Sequence, residues 1–246
     1  MTGREVLVHD DAGALAADAA SRLLEVLETV QAAGGTPQIV LTGGSIAETL
    51  HQEVARRAAD SAVDWSRVVV WWGDERFVEA SSPDRNAGQA REAFGDRLGL
   101  DPANVHEMPA GDAGLDLEAA AAAYAEDLRA HGGDAFDVLM LGVGPDGHVA
   151  SLFPGHPALE SDDVTVAVRS SPKPPPERIS LAFPALNRSR EVWFLVSGEG
   201  KADAVAAALA DDGSVAATPA RGVSGLDRTV WWLDRAAAGD ATDPGA

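Results

Sequence analysis

The 246-residue chain contains no cysteine. That absence excludes disulfides, thiolate nucleophiles and cysteine-held zinc, iron–sulfur or haem groups. Tyrosine occurs once and lysine only at Lys173 and Lys201, every other cationic side chain being arginine. No apolar run approaches the roughly 18 residues of a membrane span, and the opening Met1-Thr-Gly-Arg-Glu-Val lacks the apolar core of a secretion signal. A cytoplasmic protein without membrane contact is expected. Cations are scarce as a class, since 19 Lys+Arg face 39 Asp+Glu and leave a formal net charge of −20. A surface of that sign repels polyanions, so nucleic acid is excluded as a general partner.

What the chain does have is apolar residue in quantity, 46% of the total, enough over this length to bury a full core. Short β-branched runs alternate with alanine-rich helical periods. Strands are predicted at Val6 to Val8, Gln38 to Leu41, Arg67 to Trp72, Phe136 to Leu141, Val164 to Val168, Ile179 to Phe183, Glu191 to Val196 and Thr229 to Leu233. Helices are predicted from Leu15 to Val30, around Ile46, Leu50 and Val54, over Asn86 to Leu98 and Leu115 to Ala130, and from Lys201 to Leu209. Near-continuous apolar strands separated by helices indicate an α/β fold, a mostly parallel sheet covered by helices on both faces. Residues 1–235 read as one domain and 236–246 as a disordered tail, while Ser171-Pro-Lys-Pro-Pro-Pro176 reads as a rigid loop within the fold.

In an open parallel sheet, ligands bind beyond the carboxyl ends of the strands. Four strand-end segments stand out: Thr42-Gly43-Gly44-Ser45, Gly73-Asp74-Glu75-Arg76, Gly142 to His148, and Ser197-Gly198-Glu-Gly200-Lys201. The first enters a helix through two glycines, which lets a phosphate approach backbone amides at a partially positive helix end. Its bland alternative is a helix merely capped by Thr42 or Ser45. A third possibility makes Ser45 a nucleophile, although the segment stops one glycine short of G-x-S-x-G. Lys201 suits a phosphate as a point charge, and Arg76 or Arg178 as a planar donor fork. Asp74-Glu75-Arg76 has its own bland alternative, an internal salt bridge that steadies the loop.

Gly142-Val-Gly144-Pro-Asp-Gly147 matches G-x-G-x-x-G, but Pro154 and Pro157 break the long helix that a dinucleotide fingerprint opens. What the loop offers instead is Asp146 beside His148, an acid and an imidazole able to act as base and then acid. His148 and His156, eight apart with prolines between, lack the short spacing of a zinc site, and neither metal nor cofactor is expected. Trp71-Trp72 and Trp231-Trp232 are expected in the core.

In order along the chain, Leu41-Thr-Gly-Gly-Ser45, Trp72-Gly-Asp-Glu-Arg76, Leu141-Gly-Val-Gly-Pro-Asp-Gly-His-Val-Ala-Ser-Leu-Phe-Pro154, Pro174-Pro-Pro-Glu-Arg-Ile179 and Ser197-Gly-Glu-Gly-Lys201 resemble the 6-phosphogluconolactonase family. The resemblance implies a Rossmann-like open sandwich of the deaminase/isomerase type, and a small phosphorylated sugar lactone as partner. By carry-over His148 is the general base toward water, with Asp146 or Asp74 supporting it. Gly43, Gly44, Ser45, Asp74, Arg76, Arg178 and Lys201 then surround the substrate, with Lys173 as an addition. The related glucosamine-6-phosphate deaminases continue the Asp-Gly-His loop into Phe-Asn-Glu-Pro, whereas here Ser151-Leu152-Phe153-Pro154 puts a phenylalanine where the glutamate stands. A deaminase-type isomerase, a serine hydrolase through Ser45 and a non-catalytic phosphosugar-binding module are the alternatives. A monomer is expected.

Overall fold

The computed structural model describes residues 4–239. Its strands are β1 (Arg4–His9), β2 (Gln38–Leu41), β3 (Val69–Trp72), β4 (Asp74–Arg76), β5 (Phe136–Gly142), β6 (Thr165–Val168), β7 (Arg178–Leu181), β8 (Ser189–Val196) and β9 (Arg228–Asp234). The helices are α1 (Ala12–Ala32), α2 (Ser45–Arg57), α3 (Asn86–Ala93), α4 (Gly95–Leu98), α5 (Leu117–His131), α6 (Phe183–Leu186), α7 (Ala202–Leu209) and α8 (Arg235–Ala238). Six strands form one sheet in the order β1-β9-β8-β5-β2-β3, every neighbouring pair parallel.

The strands are apolar on both sides because both faces are covered. Along β5, Val138 and Met140 point into a core shared with α1 and α2, while Leu139 and Leu141 point into a second core shared with α5 and α7. The helical periods serve these two cores. Helix α1 starts where the Asp11 carboxylate accepts the Ala14 N–H at 2.8 Å, and it buries Leu15, Ala19, Leu23 and Leu27 on one side. Asp116 does the same for α5 by accepting from Ala119 at 2.8 Å. Trp71, Trp72, Trp231 and Trp232 are all buried, as the sequence indicates.

Several boundaries depart from expectation. Trp65–Arg67 is a 3-10 turn and the strand begins only at Val69, while the helix expected over Asn86 to Leu98 breaks at Phe94. Phe183 opens α6 rather than ending a strand. The larger difference is a second, antiparallel sheet in the order β4-β7-β6. Asp74–Arg76 reads from sequence as a loop because its charges mask strand character, yet it pairs with β7 residue by residue. The fold also runs past residue 235: Asp234 caps α8 through the Ala237 N–H at 2.7 Å, and Ala237 and Ala238 are buried. The expected disordered tail is thus packed as far as Ala238, and its residues 240–246 lie outside the described residues. No helix among the described residues is long and apolar enough to cross a membrane.

Candidate active site

The segments that follow β2, β3, β5 and β8 converge on a cavity of about 300 Å³ at the carboxyl edge of the large sheet. Gly43, Gly44, Ser45, Asp74, Arg76, His148, Lys173, Arg178 and Lys201 line it. Of the sequence-derived site residues only Asp146 is set back from the wall, behind His148. The structure therefore brings together residues spread over more than 150 positions of sequence.

Asp146 Oδ1 lies 2.5 Å from His148 Nδ1. Burial pushes the Asp146 carboxyl up, but the hydrogen bond and charge of His148 outweigh it and Lys173 adds to them, so the group is held at about 2. An ionised Asp146 accepts the Nδ1 proton, which leaves Nε2 as the lone-pair nitrogen available to the cavity. The pair packs onto Gly144, where an added Cβ would fall 1.9 Å from His148 Nδ1 and 2.4 Å from Asp146 Oδ1. The middle glycine of the dinucleotide-like match thus makes room for an imidazole. On its other side the imidazole meets the buried Phe153 ring at a centroid distance of 4.6 Å.

Asp74 belongs to a different network. Its carboxylate accepts from Ser151 Oγ at 2.7 Å and from Asn86 Nδ2 at 3.4 Å. Among the described residues no hydrogen bond joins it to His148. The support for His148 therefore comes from Asp146, and Asp74 buttresses the cavity wall. Asn86 and Ser151 are functional neighbours that sequence reasoning passed over: Asn86 reads as an ordinary helix start, and Ser151 is hidden inside a longer motif.

Arg76 and Arg178 are direct register partners in β4 and β7, and their repulsion is offset within the protein by Asp74 first, then by Glu75 and Asp84. Arg178 is buried and donates to the carbonyls of Lys173, Pro174 and Pro175, so it also fixes the proline-rich loop against the cavity. Arg76 donates to the Asp84 carbonyl at 2.5 Å. From the opposite wall Lys201 Nζ donates to the Val143 carbonyl at 2.7 Å. Burial, then the charge of Lys173, hold the Lys201 ammonium below the ordinary lysine range.

The N-termini of α2 and α3 meet this region in different ways. At α3 the buried Glu75 carboxylate accepts from the N–H groups of Asn86 (2.7 Å) and Ala87 (2.9 Å), while burial pushes that carboxyl above its ordinary value. Glu75 is thus the internal steadying group that the bland alternative anticipated. At α2 the N-cap is Gly44, with φ of 98°, and no side chain caps the helix. The simple capping role weighed for Thr42 and Ser45 does not hold, and the first-turn amides of α2 remain open to the cavity. Gly43 is required by crowding, since a Cβ there would sit 2.0 Å from Asn86 Oδ1. Ser45 is exposed at the start of α2, and among the described residues it makes no hydrogen bond to His148.

Residues 10–232 match the family model described as glucosamine-6-phosphate isomerases/6-phosphogluconolactonase. The chain is 49% identical over 244 residues to a 6-phosphogluconolactonase of Streptomyces coelicolor, covering 95% of this chain and 93% of that one. A 6-phosphogluconolactonase crystal structure from Thermotoga maritima superposes with a TM-score of 0.83 at 28% identity, over 94% of this chain and all of that one. A monomeric glucosamine-6-phosphate deaminase shares the fold, with a TM-score of 0.81 at 21% identity over 95% of this chain and 98% of that one. The chain belongs to the glucosamine-6-phosphate isomerase/6-phosphogluconolactonase family.

Proposed function

We propose that this chain hydrolyses 6-phospho-D-glucono-1,5-lactone to 6-phosphogluconate, the lactone-opening step of the oxidative pentose phosphate pathway. The observation that carries the mechanism is the His148–Asp146 pair, whose free Nε2 is available to a cavity also lined by Lys173, Lys201, Arg76, Arg178 and the open α2 N-terminus. His148 Nε2 takes a proton from water as its oxygen attacks the lactone carbonyl carbon. The imidazolium then returns that proton to the ring oxygen as the acyl carbon–oxygen bond breaks. Asp146 holds the ring in the required tautomer and offsets the charge it gains.

Gly43, Gly44, Ser45, Arg76, Lys201, Arg178 and Lys173 take the phosphate, which fixes the carbonyl relative to the base. Two arginines and two lysines around one cavity suit a dianion, even in a chain of net charge −20 whose own carboxylates offset part of their repulsion. Phe153 stands against the imidazole and offers no proton, which disfavours deaminase-type ring opening. The exposed position of Ser45, without a hydrogen bond to His148 among the described residues, disfavours a serine hydrolase.

The test is proton release from freshly generated 6-phosphogluconolactone beside unphosphorylated gluconolactone, corrected for spontaneous opening. Strong preference for the phosphorylated lactone is expected. His148→Ala is expected to lower kcat by about 10²- to 10⁴-fold with product binding retained. Equal handling of the two lactones overturns the phosphate assignment, and unchanged turnover in folded His148→Ala overturns the mechanism.

A further inference from the structure

A second cluster of titratable side chains lies away from the cavity, and the hydrolysis has no use for it. Asp127 and His131 are four residues apart on the last turns of α5, so they share a face, with His131 Nδ1 2.8 Å from Asp127 Oδ1. His106 comes from the segment beside β3, where its N–H donates to the Val70 carbonyl at 2.9 Å. Its Nδ1 lies 2.8 Å from the other oxygen of the same carboxylate, Oδ2. One ligand atom from each of the three residues lies within 4.8 Å of the others.

We propose that His106, Asp127 and His131 form a binding site for a divalent transition-metal ion of the zinc type, held by two imidazole Nδ1 atoms and one carboxylate oxygen, with solvent completing the shell. Without an ion, both Nδ1 atoms carry protons and donate to Asp127. An ion takes the place of those protons at Nδ1, and each neutral ring keeps its one proton on Nε2. Zinc–nitrogen and zinc–oxygen bonds of about 2.0–2.2 Å place tetrahedral donors about 3.3 Å apart. The 2.8 Å separation between an Nδ1 and its carboxylate oxygen needs to open by about half an ångström, while the other donors, all within 4.8 Å of one another, draw in toward the ion.

The three donors are unequal in freedom, which suits such an adjustment. The His106 ring is stacked on Trp71 at 4.0 Å with planes 9° apart, and the Trp71 indole is itself fixed by Gln38 Oε1 at 2.9 Å. His131, at 60% side-chain exposure, is free to move toward an incoming ion and leaves one side of the site open to water. Two imidazoles and one carboxylate favour zinc, nickel or copper over magnesium or calcium, which prefer all-oxygen shells. The ion would tie the end of α5 to the edge of the sheet. Because the His131 carbonyl accepts from Gln38 at the amino end of β2, the site lies across the sheet from the cavity at the carboxyl end of that strand.

The test is calorimetric titration of the chelator-treated full chain with zinc, with magnesium as control. One zinc per chain and no magnesium uptake are expected, with a rise in Tm of about 5–10 °C at a hundredfold excess over Kd. Asp127→Asn and His131→Ala should each weaken zinc binding more than about tenfold and abolish the Tm rise, with lactone hydrolysis unchanged. His148→Ala should bind zinc as the parent does. Binding unaffected by both substitutions, binding lost in His148→Ala, or neither heat nor Tm shift in the parent chain would each overturn the proposal.

Discussion

Lys201 and Lys173, the only lysines of the chain, line one cavity, and the charge of Lys173 joins burial in holding the Lys201 ammonium below its ordinary value. A lowered lysine loses its proton earlier as pH rises, so binding of the product 6-phosphogluconate should weaken on the alkaline side before ordinary lysines titrate. Lys173→Met removes the repulsion and should move that alkaline loss to higher pH, as read by calorimetry across pH 7 to 10. Lys201→Met should weaken product binding about ten- to a hundredfold at pH 7, the worth of one charge-assisted hydrogen bond. A loss that moves to lower pH in Lys173→Met would contradict the coupling.

Gly144 and Gly43 separate chemistry from binding. A Cβ at residue 144 collides with both members of the His148–Asp146 pair, whereas one at residue 43 collides with Asn86 below the open end of α2. Gly144→Ala should therefore lower kcat by about tenfold or more with a modest change in KM, because it displaces a proton-transfer group. Gly43→Ala should act chiefly on KM. Steady-state kinetics of the two variants side by side decides this, and the reverse pattern would break the assignment of the two loops.

Glu75 supports the site without entering it. At 1% exposure its carboxylate receives the N–H groups of Arg76, Asn86 and Ala87 and lies 3.7 Å from the Arg85 guanidinium. Glu75→Ala strands those donors and a buried cation together, so a loss of about 3 kcal/mol or more is expected in urea denaturation. Glu75→Gln keeps an acceptor oxygen and should lose less. Equal stability of Glu75→Ala and the parent would show that the cap is dispensable.

The large sheet was legible because its strands are nearly pure runs of apolar residues, and the helices because glycine and aspartate punctuate them. The small sheet was hidden: Asp74-Glu75-Arg76 has no apolar alternation, and its pairing with Arg178-Ile179-Ser180 is a contact across a hundred residues of chain. The cavity wall was legible where motif and chemistry coincide, as at His148 and Lys201. The division of labour between Asp146 and Asp74 was not, since it depends on which carboxylate the folded loop brings to Nδ1. Glu75 shows the same limit from the other side, for its charge suggests solvent or ligand and only burial reveals a cap.

His51 couples this wall of the site to acid stability. It is buried on α2 with its ring edge against Phe94 at 4.8 Å, and burial lowers its pKa to about 4. Its Nε2 and Asn86 Oδ1 are both buried without a partner and border the same small cavity behind Thr42-Gly43-Gly44. An unfolded histidine takes up a proton near 6.5 and the folded one only near 4, so stability falls as pH drops through that window. Between pH 7 and pH 5 this one group should remove about 2 kcal/mol. His51→Leu abolishes the linkage, and urea denaturation at both pH values should show the variant losing about 2 kcal/mol less than the parent over that interval. Equal losses in the two proteins would mean that His51 protonates in the folded chain, in which case acid weakening must come from the surface carboxylates instead.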